Sequence, residues 1–276
     1  MSDPGLKSTE ADRADEETVI TYNGLDGAAA AAACLLRYPR ADILVTSARR
    51  IGGTLKELSR RDDPPSRIHI CGVGLWCDWS PVASAAESLR AEGTDILWYC
   101  GRGYLQEHRK RLQPILQTVL LDASSNTEAV CRHLDLRGKD AERLQALAVH
   151  DPHNEKIESP GDPDERQRFW MDLVEAAVTQ YLKYEDTESY VRVIRKLRGD
   201  HTDRRDEQMV AVYREHGPKH VLRGKSEAIR SLRQRIKKCA LADEHVLITG
   251  ESGVGKEYVA HLLHEGSDRG MQPMVP

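Results

Sequence analysis

Five short runs of apolar and β-branched residues punctuate the first half of the chain, at 18–22, 42–46, 67–71, 95–99 and 118–121. The segments between them have helical character. Residues 27–37 are alanine-rich, 51–60 carry apolar residues at helical spacing, and 81–91 open on Pro81, a residue suited to a first helical turn. Strands alternating with helices predict βαβ units and a parallel sheet. Pro160, Gly161 and Pro163 form a breaker cluster that closes this region. Beyond it Phe169, Trp170, Leu173, Val174, Ala177, Val178, Tyr181 and Leu182 recur at i, i+3 and i+4, which predicts an amphipathic helix. A second helical stretch with Val191, Ile194 and Leu197 follows, then a charged one over 203–215, ended by Gly217 and Pro218. Core packing and a dimer seam would each explain these stripes. Near the end, the apolar run 246–249 predicts a strand that feeds a glycine-rich turn and another helix.

The expected architecture is therefore α/β, with a Rossmann-like parallel-sheet domain at 18–160, a helical connector at 161–216 and a further unit at 217–276. Residues 1–17 are polar and acidic and are expected to form a flexible tail. Hydrophobic residues make up 39% of the 276 and charged ones 30%, ordinary for a globular protein of one to two domains. The formal net charge of −4 gives no global electrostatic case for nucleic acid or an anionic membrane, and no DNA-binding module is evident. Cysteines at 34, 71, 77, 100, 131 and 239 include no C-x-x-C pair, which argues against a zinc module and fits reduced thiols. No signal-peptide pattern or membrane-length apolar run is present, so a cytoplasmic location without membrane attachment is expected.

The clearest chemical signal is VLITGESGVGKEYV at 246–259. Gly250, four residues, Gly255 and Lys256 have the spacing of a P-loop, in which small residues let backbone N–H groups converge on phosphate oxygens and a lysine adds positive charge. Glu257 stands where the generic motif has the Ser or Thr that touches Mg²⁺. GESG-x-GKE, with LRGKS at 222–226, Ile229 and Leu232 ahead of the loop and His264, Ser267 and Arg269 after it, resembles the sigma-54-dependent transcription activators, a branch of the AAA+ ATPases. The resemblance covers roughly 221–276. It implies that Gly250, Glu251, Ser252, Gly253, Val254, Gly255, Lys256 and Glu257 wrap the phosphates of ATP with its Mg²⁺, and that Leu222 and Gly224 lie against the adenine. It further implies a homo-oligomeric ring acting on the sigma-54 RNA polymerase holoenzyme, with DNA contacted only by a region outside this sequence. Only about a dozen residues follow the P-loop helix, too few for the acidic strand or an arginine finger. The sequence is therefore expected to be a fragment of a longer activator, able to bind nucleotide but not to hydrolyse it.

In an open parallel sheet, ligands lie beyond the carboxyl ends of the strands. There the chain places Asn23 to Gly27, Ser47 with Arg49 and Arg50, Cys71 to Gly74, Cys100 to Gly103, and Asp122 to Asn126, a set rich in glycine, hydroxyls and arginine. These features suit either an anion or simply tight turns. ITYNGLDGAAAAAACLLRYPRADILVT at 20–46 resembles the first motif of the DHH phosphoesterases, a strand running into H-x-D-x-D-G and a small-residue helix. Asp26 and Gly27 match; Tyr22 replaces the histidine and Gly24 the first aspartate. Cys71 in RIHICGVG stands at the second motif's aspartate, Cys100-Gly101-Arg102 in ILWYCGRG at the Asp-His-His, and Asp151 in LQALAVHDP at the fourth motif's aspartate. That family holds two Mn²⁺-like ions, and Asp26 with Asp151 are too few ligands to assemble such a centre. The resemblance thus implies a metal-free, non-catalytic domain sensing a nucleotide, oligonucleotide or other phosphate ligand, with Asp26, Gly27, Cys71, Cys100, Arg102, Ser124 and Asp151 around it. Alternatives are an active metal-dependent phosphodiesterase and a protein-interaction module that holds the ATPase. A soft-metal site of Cys71 and Cys100 with His69 or His150, and an acid–base pair of His150 and Asp151, are further readings.

Overall fold

A computed structural model describes residues 17–74, 79–99, 117–119, 123–151, 161–184, 186–216, 226–240, 242, 244–251, 254–267 and 274. Strands β1 (Glu17–Thr21), β2 (Asp42–Val45), β3 (Arg67–Cys71), β4 (Asp95–Tyr99) and β5 (Gln117–Val119) form one sheet in the order β2-β1-β3-β4-β5. Every pairing is parallel, with Val19 beside His69 and His69 beside Leu97. Each of the five runs read from the sequence thus overlaps a strand, with residues 120–121 of the last lying outside the described residues.

The sheet is covered on both faces, which is why its strands are apolar on both sides. Ile20, Ile68, Ile70, Ile96 and Trp98 point to α2 (Ile51–Leu58) and α3 (Ser80–Ala91), which pack on each other. Val19, Cys71, Leu97 and Tyr99 point the other way, to α1 (Leu25–Arg37) and α4 (Asn126–His133). Alanine is the strongest helix former and the smallest side chain that keeps that propensity. The run Ala28 to Ala33 therefore makes α1 a thin rod, buried on every side, that neighbours can approach closely. Besides the sheet, α1 touches α4, α5 (Lys139–Ala148), α6 (Glu165–Tyr184) and α7 (Thr187–Gly199).

The stripe on α6 buries Trp170, Leu173, Val174 and Ala177 in that same core, joined by Val193, Ile194 and Leu197 of α7 and Val210 of α8 (Arg204–His216). It serves core packing. The segment expected as a connector is built into the upstream domain, because α1 presents apolar surface on sides the sheet cannot reach. At the amino end Glu17, expected in the tail, is instead the first residue of β1, buried against Arg67 at 3.0 Å and His69 at 2.8 Å. Its charge is matched by the Arg67 guanidinium and its other oxygen is hydrogen-bonded to the His69 ring, which is what lets a carboxylate start a buried strand.

Residues 227–267 contribute α9 (Glu227–Ala240) and α10 (Lys256–Glu265), packed on each other. The expected strand at 246–249 is not formed. Leu247 is 87% exposed, and no strand lies beside the run among the described residues to supply hydrogen bonds. No helix of the described residues is long and apolar enough to cross a membrane.

Candidate functional site: the phosphate-type loop and the crevice at the strand ends

The turn after residue 249 delivers the features its sequence calls for. Gly255 caps α10 with φ +91°, a left-handed conformation that favours glycine, and α10 begins at Lys256. The free N–H groups of a helix's first turn and its positive dipole end make such a position receptive to anions. The Lys256 ammonium bends back to donate to the carbonyl oxygens of Gly250 at 2.9 Å and Glu251 at 2.6 Å. It sits inside the loop, on carbonyls that a phosphate oxygen can replace. Glu257 is exposed on the first turn, an oxygen donor in place of the usual hydroxyl. Leu222, Gly224, Ser252 and Gly253 lie outside the described residues.

In the upstream domain the strand order reverses between β1 and β3, and the crevice there is shaped by Tyr22. Its half-buried ring lies over glycine backbone. A Cβ on Gly24 would meet the ring at 2.6 Å, and one on Gly72, where φ is +69°, would meet the ring at 2.9 Å and Asn126 Nδ2 at 2.5 Å. A Cβ on Gly27 would come within 2.5 Å of the Tyr22 carbonyl oxygen. The aromatic side chain thus occupies space opened by three glycines.

The two aspartates that survive from the resembled motif are spent on the fold. Asp26 is fully buried and accepts four hydrogen bonds: Asn126 N at 2.9 Å, Asn126 Nδ2 at 2.8 Å, Thr127 N at 3.0 Å and Thr127 Oγ1 at 2.7 Å. It closes the amino end of α4. Asp151, also buried, accepts from Asp26 N at 2.8 Å and from the Tyr22 hydroxyl at 3.2 Å, and so closes the amino end of α1. Burial raises the Asp26 pKa first, the Asp151 charge adds to this, and the bonds from Asn126 and Thr127 oppose it. These bonds leave Asp26 no free face for the ligand expected there, and they hold one oxygen, Oδ2, of Asp151.

Ser124 donates through N and Oγ to the Glu128 carboxylate, both at 2.6 Å, at the start of α4. Cys71 is buried with its sulfur 3.6 Å from that of Cys34. Cys100 and Arg102 lie outside the described residues. The soft-metal reading loses its histidines: His69 is fully buried with Nε2 on Glu17 at 2.8 Å and Nδ1 on the Tyr99 hydroxyl at 2.9 Å. His150 faces Gln167 and Asp164 and not the Asp151 carboxylate, so the acid–base pair is not assembled. No group of three or more metal-ligating side chains occurs among the described residues.

Two groups lie outside the sequence reading. Tyr190 of α7 reaches the crevice loop, accepting from Gly24 N at 3.1 Å and donating to the carbonyls of Tyr22 at 3.1 Å and Gly24 at 3.0 Å. Its place on the buried stripe of α7 was a usable signal, since a buried tyrosine hydroxyl needs a partner. Glu175 on α6 is held protonated to near neutrality. Burial, then the charges of Asp151 and Asp172, push its pKa up to about 7. Nothing in its spacing distinguishes it from a solvated helix position.

Residues 222–276 match the Sigma-54 interaction domain. Over 55 residues the chain is 49% identical to the response regulator protein PilR of Pseudomonas aeruginosa, covering 20% of this chain and 12% of that protein. It is 46% identical over 52 residues to the anaerobic nitric oxide reductase transcription regulator NorR of Serratia proteamaculans, covering 19% and 10%. It is 39% identical over 57 residues to the transcriptional regulatory protein FlgR of Helicobacter pylori, covering 21% and 15%. The chain thus spans only a small part of these relatives. Among solved structures, an uncharacterized protein from Helicobacter pylori aligns over 92% of this chain and 80% of its own, with TM-score 0.48 and 11% identity. RecJ in complex with Mn²⁺ from Thermus thermophilus aligns over 94% and 43%, with TM-score 0.41 and 13% identity. Neither structural likeness carries an argument.

Proposed function

We propose that this chain joins a nucleotide-binding loop of the sigma-54 activator type to an upstream α/β domain that binds a phosphate-bearing ligand without cleaving it and thereby governs the ATP-dependent unit. The observation that carries the reading is the loop from Gly250 to Lys256, with Gly255 left-handed at the head of α10 and the lysine ammonium within the turn. It lies in the segment that matches the Sigma-54 interaction domain. The residues fit the group: glycine backbone, a helix amino end and Lys256 would hold the phosphates of ATP, and Glu257 offers an oxygen toward Mg²⁺. Bound ATP supplies a transferable γ-phosphoryl group, whose use belongs to the whole assembly. That the relatives are named as transcription regulators supports sigma-54 RNA polymerase as partner and regulated transcription as output, with ring assembly in the full protein.

Support for a non-catalytic upstream domain comes from Tyr22, Gly24 and Cys71 standing where the resembled enzymes bind metal, and from Asp26 and Asp151 serving as helix caps. With its carboxylates spent and Ser124 held on Glu128, the crevice has backbone N–H groups and Asn23 to offer a phosphate, while Arg102, the cation expected from the sequence, lies outside the described residues.

Two measurements test the reading. Fluorescence titration with a mant-labelled ATP is expected to saturate on the full chain, and Lys256→Ala is expected to weaken it by about 10- to 100-fold, the loss of a charge-assisted contact. Equal binding by the variant removes the loop from the account. Equilibrium dialysis of the full Lys256→Ala chain against mono-, di-, cyclic and oligonucleotides is expected to retain an intact ligand without Mn²⁺. Shortened products that require Mn²⁺ would instead make the domain a phosphodiesterase, and no retention would make it a protein-docking module.

A further inference from the structure

The chain carries a formal charge of −4, yet α9 is strongly basic: Arg230, Arg233, Arg235, Lys237 and Lys238 stand with Glu227 as the helix's single acid. Several cations on other helices are neutralised where they stand, while Lys56, Arg204 and Arg205 are exposed singly or as a pair among mixed charges. Arg132 pairs with Glu128, Arg192 and Lys196 with Asp206, Arg166 with Asp200 and Arg214 with Asp172. Among the described residues no ion pair reaches Arg235 or Lys238, and both are exposed. Basic residues in a last turn are favoured by the helix dipole, but that effect fades within a turn and does not account for charge that begins at position 230.

The two sides of α9 differ in use. Ile229, Leu232, Ile236 and Cys239 are half-buried, recur at helical spacing, and belong to a helix that packs on α10. Opposite them Ser231, Gln234, Arg235 and Lys238 fall at i, i+3, i+4 and i+7, and all four are exposed. Serine, glutamine, arginine and lysine are the side chains that contact phosphate oxygens and fix a protein on a nucleic-acid backbone. The apolar side is already half-buried, on a helix that packs on α10, which sets it apart from a membrane-surface helix whose apolar face stands free.

We propose that the outward face of α9 docks the phosphate backbone of a nucleic acid without reading its bases. Positions 231 to 238 rise about 10 Å along the helix axis, enough to follow one or two phosphates of a strand. Few phosphates are engaged, so binding is weak and independent of sequence, with a shallow salt slope of about −1 to −2. The docking does not rest on the nucleotide loop or on the upstream ligand.

Fluorescence anisotropy of the full chain with a labelled mixed-sequence 20-base-pair duplex tests it. Binding is expected to be weak, on the order of 10⁻⁴ M at about 50 mM salt, and to weaken by about 3- to 12-fold at about 200 mM. Arg235→Glu with Lys238→Glu is expected to weaken it at least tenfold and to remove most of its salt slope of about −1 to −2, with an unchanged thermal melt. No binding by the wild type, or equal binding by the double variant, overturns the proposal. So does capture by phosphatidylserine vesicles without capture of duplex. Where the reversal shifts the melt, Arg235→Gln with Lys238→Gln decides, because glutamine keeps the helix propensity and removes only the charge.

Discussion

Four donors from two consecutive residues close on the Asp26 carboxylate, and a second carboxylate, Asp151, holds the amide of Asp26 itself. At this scale the chemistry of the crevice is that of anions satisfied by backbone. Glu175 is the exception, a carboxyl whose pKa is raised to about 7 by burial and by Asp151 and Asp172. A carboxyl raised in the folded state keeps its proton where the unfolded chain has lost it. Its contribution to stability is therefore full below the unfolded value, near 4.5, and is lost as pH rises toward 7. Glu175→Gln is expected to match the wild type in urea melts near pH 4.5 and to exceed it by about 1–3 kcal/mol at pH 8. A variant less stable than the wild type at pH 8 would remove the inferred burden of charge. Sequence reading named Asp26 and Asp151 but not the donors they meet, since motif position says nothing of which groups close on a carboxylate. Tyr190 was visible only as part of an apolar stripe, because its partners lie more than 160 residues away in sequence.

Among elements, α1 sets the arrangement of the others. Its alanines let the sheet on one side and α4, α5, α6 and α7 on the others come close, and Ala31 has no exposed surface. Ala31→Leu adds three heavy atoms where there is no room, and is expected to cost about 1–3 kcal/mol or more in a thermal or urea melt. An unchanged midpoint would mean that the helix has slack. The strands were legible because a strand buried on both faces writes itself as a continuous apolar run. The same signal misled at 246–249, where the run is apolar but no neighbour pairs with it. Periodicity reports what a segment can bury, and a strand also needs a partner.

Across the whole molecule, one core runs from Val19 of β1 to Val210 of α8, so the sheet domain and the helices after it form a single packed body. Removal of everything after residue 216 is expected to leave its cooperative melt within a few degrees of the full chain's. A collapse of that melt would show that α9 and α10 contribute to the core. The α/β class and the glycine-rich turn at the head of α10 were readable from local pattern, since both are set by short stretches. The placement of α6 to α8 was not, because nothing local says that a helix such as α1 exposes apolar surface all round.

The contacts that fix the amino end of α1 come from far down the chain. Asp151 reaches Asp26 N, and Tyr190 reaches Gly24 N and its carbonyl. During synthesis, a nascent chain that has emerged only as far as β4 has four of the five strands and α1 but neither of these clasps. The amino-terminal half therefore waits, incompletely closed and with apolar helix surface open, until α7 has cleared the ribosome exit. Folding of this body is gated by translation of its second half, and a pause between α5 and α7 would lengthen the interval in which chaperones find it.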